Sequence, residues 1–305
     1  MDTSSYLTIA LPCLITAVSG CTSRAEAVNY DKSYSVVGRP SVHVHTKDGN
    51  VRVVTSDTKE VEFHVRYSGG SDLAGPPHFA SRQEGGMVEL EADTGMSSFF
   101  FGGSRRRMDI EVRMPRDADL RVESGDGGIN VTALNGHVVL HTNDGGVRAA
   151  QLNGAIDISS NDGSIRVEES KGDLKLRTND GSIGGEHLDG KCDAYSNDGS
   201  IHVDGRFDLI DIRSDDGTVV ARVEAGSVPT SSWRVRTDDG SVSMTVPPDF
   251  KANLDASTSD GSIRLDPPLK IEGNVGGSRV QGTLNGGGPS LVIHTNSGSV
   301  HLGTT

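Results

Sequence analysis

Residues 153–170, NGAIDISSNDGSIRVEES, hold two short segments in which apolar and polar side chains alternate. AIDISS and SIRVEE each show a period of two, which predicts a β-strand with one buried face. The tripeptide NDG lies between them, and Asn, Asp and Gly are the residues that best tolerate the positive φ angles of tight turns. We therefore predict that NDG reverses the chain between two strands.

The same unit repeats along the chain. Its aspartate recurs every 18 residues, at Asp126, Asp144, Asp162, Asp180, Asp198 and Asp216, and returns after small insertions at Asp239 and Asp260. Related copies are KDGNVRV at 47–53 and NSGSVHL at 296–302. A second turn signal, LNG or LDG, closes the unit at 134–136, 152–154 and 188–190. A fixed repeat of this kind is typical of architectures in which each unit packs on the next.

Two all-β folds share this alternation. In a β-solenoid the two strands lie in opposite sheets, and each coil stacks on the next at about 4.8 Å. In an antiparallel meander each NDG is a hairpin between neighbouring strands. The strict spacing favours the solenoid, because stacking every position on its own equivalent requires coils of equal length. We predict a β-solenoid of 18-residue, two-strand coils whose core holds Ile158, Ile165 and their equivalents in the other repeats.

Residues 41–116 do not follow the 18-residue spacing but still read as strands, for example SVHVHT at 41–46 and VEFHVRY at 61–67. We interpret them as an N-terminal β cap that continues directly into a solenoid over residues 117–305. The tail LNGGGPSLVIHTNSGSVHL at 284–302 reads as a last coil after a Gly-rich loop.

The N-terminus resembles a processing signal rather than part of the fold. Its apolar run YLTIALPCLITAV at 6–18 is too short to span a bilayer. The run leads into VSGC at 18–21, which resembles the bacterial lipoprotein signal, where a small residue precedes a lipid-carrying cysteine. We predict a signal peptide over residues 1–20, lipidation at Cys21 and a linker over residues 21–40. The first five residues, MDTSS, lack the Lys or Arg of a typical signal, so a soluble secreted protein is the alternative.

The charge of the chain suits a soluble surface outside the cytoplasm. The net charge of −13 argues against binding to nucleic acid or to anionic lipid surfaces. Thr22 follows the predicted lipidated cysteine where an Asp would retain a lipoprotein at the inner membrane. By resemblance to that sorting rule, we predict the outer membrane in a cell with two membranes. Cys13 belongs to the signal and Cys21 to the lipid, which leaves Cys192 without a disulfide partner.

Three stretches resemble one known family. MPRDADLRVESGDGGINV at 114–131, LNGHVVLHTNDGGV at 134–147 and VPPDFKANLDASTSDGSIRL at 246–265 are similar to a bacterial β-strand-repeat family of unknown function that carries an adhesin label. The resemblance covers residues 40–302. It implies a secreted or envelope-anchored β-repeat protein without established catalytic residues.

Several side chains could bind a metal, a lipid or a partner, but each has a simpler structural explanation. A stacked row of motif aspartates would place carboxylates about 4.8 Å apart, within reach of bridging calcium, but the turn preference of Asp explains the row without a metal. The stretch SSFFFGGSRRR at 97–107 is either a loop that binds lipid or a partner, or a plug of the cap, and we favour the plug. We interpret the ten scattered histidines as outward strand residues and Cys192 as a small buried hydrophobe. We predict no catalytic, metal or cofactor site.

Carboxylates repeat uniformly instead of clustering, and the single tryptophan, Trp233, falls at an inward position. A polysaccharide-active β-helix enzyme is therefore the least favoured function. We predict a non-catalytic cell-envelope lipoprotein whose adhesin-like solenoid acts in surface interaction or adhesion. A structural or sensory envelope component with a protein partner is the alternative. The expected partners are the membrane, through the lipid, and a surface protein or polysaccharide, with no nucleic acid.

Overall fold

The computed structural model describes residues 26–69, 77–94, 107–266 and 271–304. The predicted signal peptide, Cys21 and nearly all of the SSFFFGGSRRR loop lie outside these ranges. The described residues form 25 β-strands. No helix among them is long and apolar enough to cross a membrane.

The strands follow one another with short connections. The N-terminal part holds β1 (Glu26–Ser35), β2 (Ser41–Thr46), β3 (Asn50–Ser56), β4 (Glu60–Gly69), β5 (His78–Glu84), β6 (Met87–Asp93) and β7 (Arg107–Pro115). The regular repeats hold β8 (Asp119–Ser124), β9 (Ile129–Thr132), β10 (Asn135–Thr142), β11 (Val147–Ala150), β12 (Asn153–Ser160), β13 (Ile165–Glu168), β14 (Lys171–Thr178), β15 (Ile183–Ser196), β16 (Ile201–Ser214) and β17 (Val219–Val223). The C-terminal part holds β18 (Trp233–Asp239), β19 (Val242–Val246), β20 (Ala252–Asp260), β21 (Ile263–Leu265), β22 (Ile271–Val275), β23 (Arg279–Leu284), β24 (Ser290–Ser297) and β25 (Val300–Thr304).

Equivalent strands of successive coils pair in parallel and build two faces. On the first face β10 pairs with β8 and β12, and Leu140 lies opposite Ile158. On the second face β11 pairs with β9 and β13, and Val147 lies opposite Ile165. The strands β15 and β16 run through the corner between the faces, so one hydrogen-bonded sheet wraps around the molecule. Parallel pairing at a spacing of 18 residues confirms the predicted β-solenoid and excludes the meander.

The core lies between the two faces and consists of the alternate side chains that the sequence pattern places inward. Ile158 and Ile165 are almost completely buried, as are their equivalents in the neighbouring coils. Cys192 and Trp233 are buried at the inward positions expected from the sequence. The aliphatic layers are thin because each coil contributes only a few side chains, so a coil gains its burial from the coils above and below it.

The glycine of each NDG bend is required by close stacking and not by its φ angle. A Cβ on Gly163 would lie 1.9 Å from the carbonyl oxygen of Gly145 in the preceding coil, and a Cβ on Gly145 would lie 2.1 Å from that of Gly127. Neither Gly145 nor Gly163 has a positive φ. This finding corrects the turn mechanism expected from the sequence.

A buried hydroxyl next to each bend ties consecutive coils together. The Oγ of Ser160 accepts a hydrogen bond from the backbone N–H of Gly163 at 2.9 Å and donates to the carbonyl oxygen of Gly145 at 3.1 Å. Thr178 makes the same pair of bonds one coil further, to Gly181 and Gly163. The recurrent Ser or Thr therefore satisfies backbone groups that the turn leaves unpaired in a buried place.

The second corner of the coil carries the positive φ angles instead. Ala133, Gln151, Glu169 and His187 stand one residue before the LNG-type signal, with φ of 60°, 56°, 48° and 53°. These residues are 18 positions apart, so the same strained corner recurs in four consecutive coils.

At both ends, chain order and stack order differ. The coil of β2 and β3 lies between the coil of β6 and β7 and the coil of β8 and β9. The coil of β24 and β25 lies between that of β18 and β19 and that of β20 and β21. The tail expected to form the last coil is therefore last in the chain but not in the stack. Antiparallel strands flank both ends: β1, β4 and β5 at one, β22 and β23 at the other.

Candidate functional site

A polar groove runs across the outside of the second face, where β4, β7, β3, β9 and β11 lie side by side. Its volume is about 520 Å³. Its lining comprises Asn50, Val51, Arg52, His64, Arg66, Arg107, Asp109, Ile110, Glu111, Arg113, Gly128, Ile129, Asn130, Gly146 and Arg148. We call it the arginine groove.

Strand alternation directs the arginines outward. Arg52 stands between the buried Val51 and Val53 on β3. The register places Arg52 opposite Asn130 of β9, and Asn130 opposite Arg148 of β11. Since neighbouring strands are about 4.8 Å apart, the Cα atoms of Arg52 and Arg148 are separated by roughly 10 Å along the stack.

The groove carries positive charge on an otherwise acidic protein. Among the described residues, five arginines line it against two carboxylates, an excess of three positive charges. The two carboxylates are engaged by two of the arginines: Arg107 Nε lies 2.7 Å from Asp109 Oδ2, and Arg113 Nε lies 2.8 Å from Glu111 Oε1.

The other three arginines, Arg52, Arg66 and Arg148, are exposed. No carboxylate within the described ranges approaches any of these guanidinium groups to 4.0 Å. These three groups therefore remain available for an external anion.

Two neighbouring carboxylates raise the pKa of His64, which lines the groove. The hydrogen bond between His64 Nδ1 and Asp31 Oδ1, at 2.7 Å, raises the pKa of His64. Partial burial opposes this shift, and a second bond from Nε2 to Glu62 at 3.3 Å supports it. Protonated His64 would add to the positive charge of the groove in mildly acidic surroundings.

No Phe, Tyr or Trp is among the described residues that line the groove, so these residues offer no flat apolar ring on which neutral sugars stack. The single tryptophan is buried elsewhere, and its Nε1 donates to the carbonyl oxygen of Asp208 at 3.1 Å. The apolar lining residues, Val51, Ile110 and Ile129, belong to the core. Recognition in this groove therefore depends on charge and hydrogen bonding.

Two residues singled out from the sequence line the groove: Arg107, the last residue of SSFFFGGSRRR, and His64. The motif aspartates and Cys192 lie elsewhere. Asp144, Asp162 and Asp180 form an exposed row at the NDG bends. The backbone N–H of Asp162 donates to the carbonyl oxygen of Asn143 in the preceding coil at 2.9 Å, which ties the two bends together. Cys192 lies opposite Leu174, and its burial raises the pKa of the thiol to about 12. The predicted lipidation site, Cys21, stays a prediction because it lies outside the described residues.

Sequence reasoning did not find the arginine groove. Arg52 and Arg148 are 96 positions apart, and they share a face only because β3 stacks beside β9. The available signal was the outward position of single arginines on three separate strands, which by itself is an ordinary feature of exposed strand faces.

Comparison with solved structures gives relatives of very low identity. A candidate adhesin from Bacteroides fragilis NCTC 9343 is 12% identical over 93% of this chain and 99% of its own, with a TM-score of 0.34. A candidate adhesin from Parabacteroides merdae ATCC 43184 is 11% identical over 90% of this chain and 95% of its own, with a TM-score of 0.35. A candidate lipid-binding protein from Parabacteroides distasonis ATCC 8503 is 10% identical over 90% of this chain and 96% of its own, also with a TM-score of 0.35.

The search of curated proteins found no match. The family model described as Toastrack DUF4097 matches residues 40–303, which is nearly all of the region that the repeat pattern and the β-solenoid occupy. The chain therefore belongs to the Toastrack DUF4097 family.

Proposed function

We propose that this chain is a non-catalytic lipoprotein of the cell envelope whose solenoid binds an acidic polysaccharide in the arginine groove. The observation that carries the proposal is the set of three unpaired guanidinium groups on one face of a chain with a net charge of −13. A guanidinium group binds a carboxylate or sulfate through two parallel hydrogen bonds, which favours arginine over lysine at such a surface.

The arrangement of the charges favours a linear polymer over a small anion. Arg66 lies on β4, Arg52 on β3 and Arg148 on β11, with one strand between each pair along the face. Four strand spacings separate β4 from β11, so the three arginines span roughly 19 Å along the stack. Arg66 is level with Asn50, two residues along the strand from the line of Arg52 and Arg148. A chain of acidic sugars lying along the stack would meet a guanidinium group at every second strand.

The same groove is a poor protein-docking surface and a poor active site. Protein interfaces draw much of their affinity from buried Trp and Tyr anchors as well as from Arg, and no Trp, Tyr or Phe is among the described residues that line the groove. Glycoside hydrolysis needs two carboxyl groups free to act as acid and as base or nucleophile. Asp109 and Glu111 are instead each bound by an arginine.

Envelope attachment belongs to the same proposal. The VSGC motif supports lipidation at Cys21, and β1 begins at Glu26, five residues later. The N-terminal end of the stack, which includes the arginine groove, would then lie close to the membrane. Adhesion is the role that a surface-attached polysaccharide binder would serve.

The test is binding to defined polysaccharides. The immobilised full-length chain is titrated with polygalacturonate, with dextran sulfate and with neutral dextran in 50 mM and 300 mM NaCl. We expect both acidic polymers to bind, with weaker binding at high salt because exposed charges are screened, and dextran not to bind. The triple variant Arg52→Gln, Arg66→Gln, Arg148→Gln should lose more than tenfold in affinity.

A matched triple variant controls for net charge. Arg222, Arg236 and Arg264 are also exposed, and no described carboxylate pairs with them. Their replacement by Gln removes the same charge from other places and should leave binding within about twofold of wild type. Equal losses in both triple variants, or binding of a protein partner that the groove variant leaves intact, would overturn the proposed ligand.

A further inference from the structure

We propose a second site, for a divalent transition-metal ion, at the corner between the two faces. Its ligands are His187, Asp204 and Glu224, one from each of three consecutive coils. Their ligand atoms all lie within 4.8 Å of one another. His187 Nδ1 is 3.7 Å from Asp204 Oδ1 and 3.6 Å from Glu224 Oε1.

An irregularity in the stack brings these side chains together. In the corners at Ala133, Gln151 and Glu169, the backbone N–H donates to a backbone carbonyl of the next coil. Between Gly185 and Leu188 the pairing of β15 with β16 shifts in register, so the next coil is one residue shorter at this corner.

At the shortened corner, a backbone hydrogen bond holds the side chain of Asp204, one of the proposed ligands, in place. The backbone N–H of His187 donates to the carboxylate of Asp204, at 2.8 Å from Oδ1, instead of to a carbonyl. The side chain of Asp204 is only 20% exposed. This hydrogen bond holds the carboxylate against the imidazole before any ion arrives, which is the usual role of an outer-shell contact in a metal site.

The geometry and chemistry fit one class of ion. Zinc bonds of about 2.0–2.2 Å in a tetrahedral arrangement separate the ligand atoms by roughly 3.3–3.6 Å, so small side-chain movements would complete the site. One imidazole nitrogen and two carboxylate oxygens match zinc or a similar transition metal. Calcium, which takes six to eight oxygens, would find too few here.

The charge around the corner also favours a cation. Two carboxylates face one imidazole. Arg206, which is near Glu224, is bound by Asp189 in an ion pair, so of the neighbouring arginines only Arg222, opposite Asp204 in the register of β16 and β17, offsets their charge. The metal would link three coils at the corner where the regular ladder is interrupted. This site departs from our sequence-based prediction of no metal, because its ligands are 17 and 20 positions apart and match no metal-binding motif.

The test is metal titration of the purified full-length chain. Accessible thiols are alkylated first, because any chain purified without signal removal and lipidation would carry free Cys13 and Cys21 thiols that compete for zinc. After treatment with chelator, ZnCl₂ and CaCl₂ are titrated separately by isothermal calorimetry, and the melting temperature is recorded with and without each ion. We expect one zinc ion to bind and to raise the melting temperature, and calcium to do neither.

Two variants and one control decide the assignment. Glu224→Gln and His187→Asn each remove one ligand, and each should weaken zinc binding at least tenfold and abolish the thermal shift. Asn suits position 187 because it tolerates the positive φ. The control is His202→Asn on the outward side of β16, which should bind zinc like wild type. Zinc binding of wild-type strength in Glu224→Gln, or a loss in His202→Asn as large as in His187→Asn, would refute the site.

Discussion

A single hydrogen atom, the side chain of Gly163, sets the distance between two coils. The Cβ of any other residue would meet the carbonyl oxygen of Gly145 at 1.9 Å, and the same contact recurs from coil to coil along the NDG edge. The stack therefore selects glycine here through backbone crowding, and the neighbouring hydroxyls of Ser160 and Thr178 then bind the carbonyls that the approach brings near.

We predict that Gly163→Ala destabilises the fold by about 1–3 kcal/mol, the usual cost of forcing extra volume into a packed site. The control is Gly184→Ala, because a Cβ on Gly184 finds its nearest neighbour only at 4.0 Å. The measurement is the free energy of unfolding from urea titration. Equal stability of the two variants would show that the coils can separate at the bend without cost.

At the level of elements, the coil of β24 and β25 fills a place inside the stack although it is made last. Its strands pair with β18 and β19 on one side and with β20 and β21 on the other. The outer coil therefore docks on residues that lie after it in the chain.

We predict that removing residues 287–305 abolishes the hydrogen-exchange protection of β21 and lowers that of β20, which keeps only its pairing with β23, while β10, β12 and β14 keep theirs. In a stack, each coil contacts only its neighbours, so the loss stays local. Hydrogen exchange followed by mass spectrometry measures both regions in one sample, and the central strands serve as the internal control. Full protection of β20 in the shortened chain would mean that the outer coil docks directly on β18.

The element scale also shows what the sequence can and cannot predict. The 18-residue spacing and the two-residue alternation predict parallel stacking and the burial of Ile158 and Ile165, because a slip of one residue would turn every apolar side chain outward. The position of β24 and β25 in the stack was not predictable. Their bend, NSGSV, has the same inward valine and the same glycine as the other bends, so any coil could pack against it equally well. The arginine groove depends on which strands become neighbours in the stack. The proposed metal site depends on a coil that is one residue shorter at its corner. Neither feature can be read from a local sequence pattern.

At the scale of the whole molecule, the lipid anchor would determine which end of the stack faces the membrane. We predict that Cys21→Ala prevents lipidation and leaves residues 1–20 attached, so the variant is held in the membrane fraction only by the apolar run at 6–18 and is released by a salt or alkaline wash that leaves the lipidated wild type in place. The fractions are compared by immunoblotting, and the mass of the purified protein shows whether residues 1–20 remain.

Cys192→Ala is the matched control for that experiment. Its thiol is buried and has no role in attachment, so the variant should stay in the membrane fraction. Wild-type protein that retains Met1 and is soluble after cell breakage would rule out the lipoprotein assignment.

The non-sequential order at the two ends has a consequence for how such proteins change length. Each end is made of coils interlocked out of chain order, so a new coil cannot simply be appended at either terminus. The middle has no such restriction, because its 18-residue coils follow one another in order from β8 to β15. Duplication of one central coil would lengthen the molecule by a single strand spacing, about 4.8 Å, while both interlocked ends keep their structure. Family members of different length can therefore arise by duplication of whole coils in the interior of the stack, while the structure of both ends is kept.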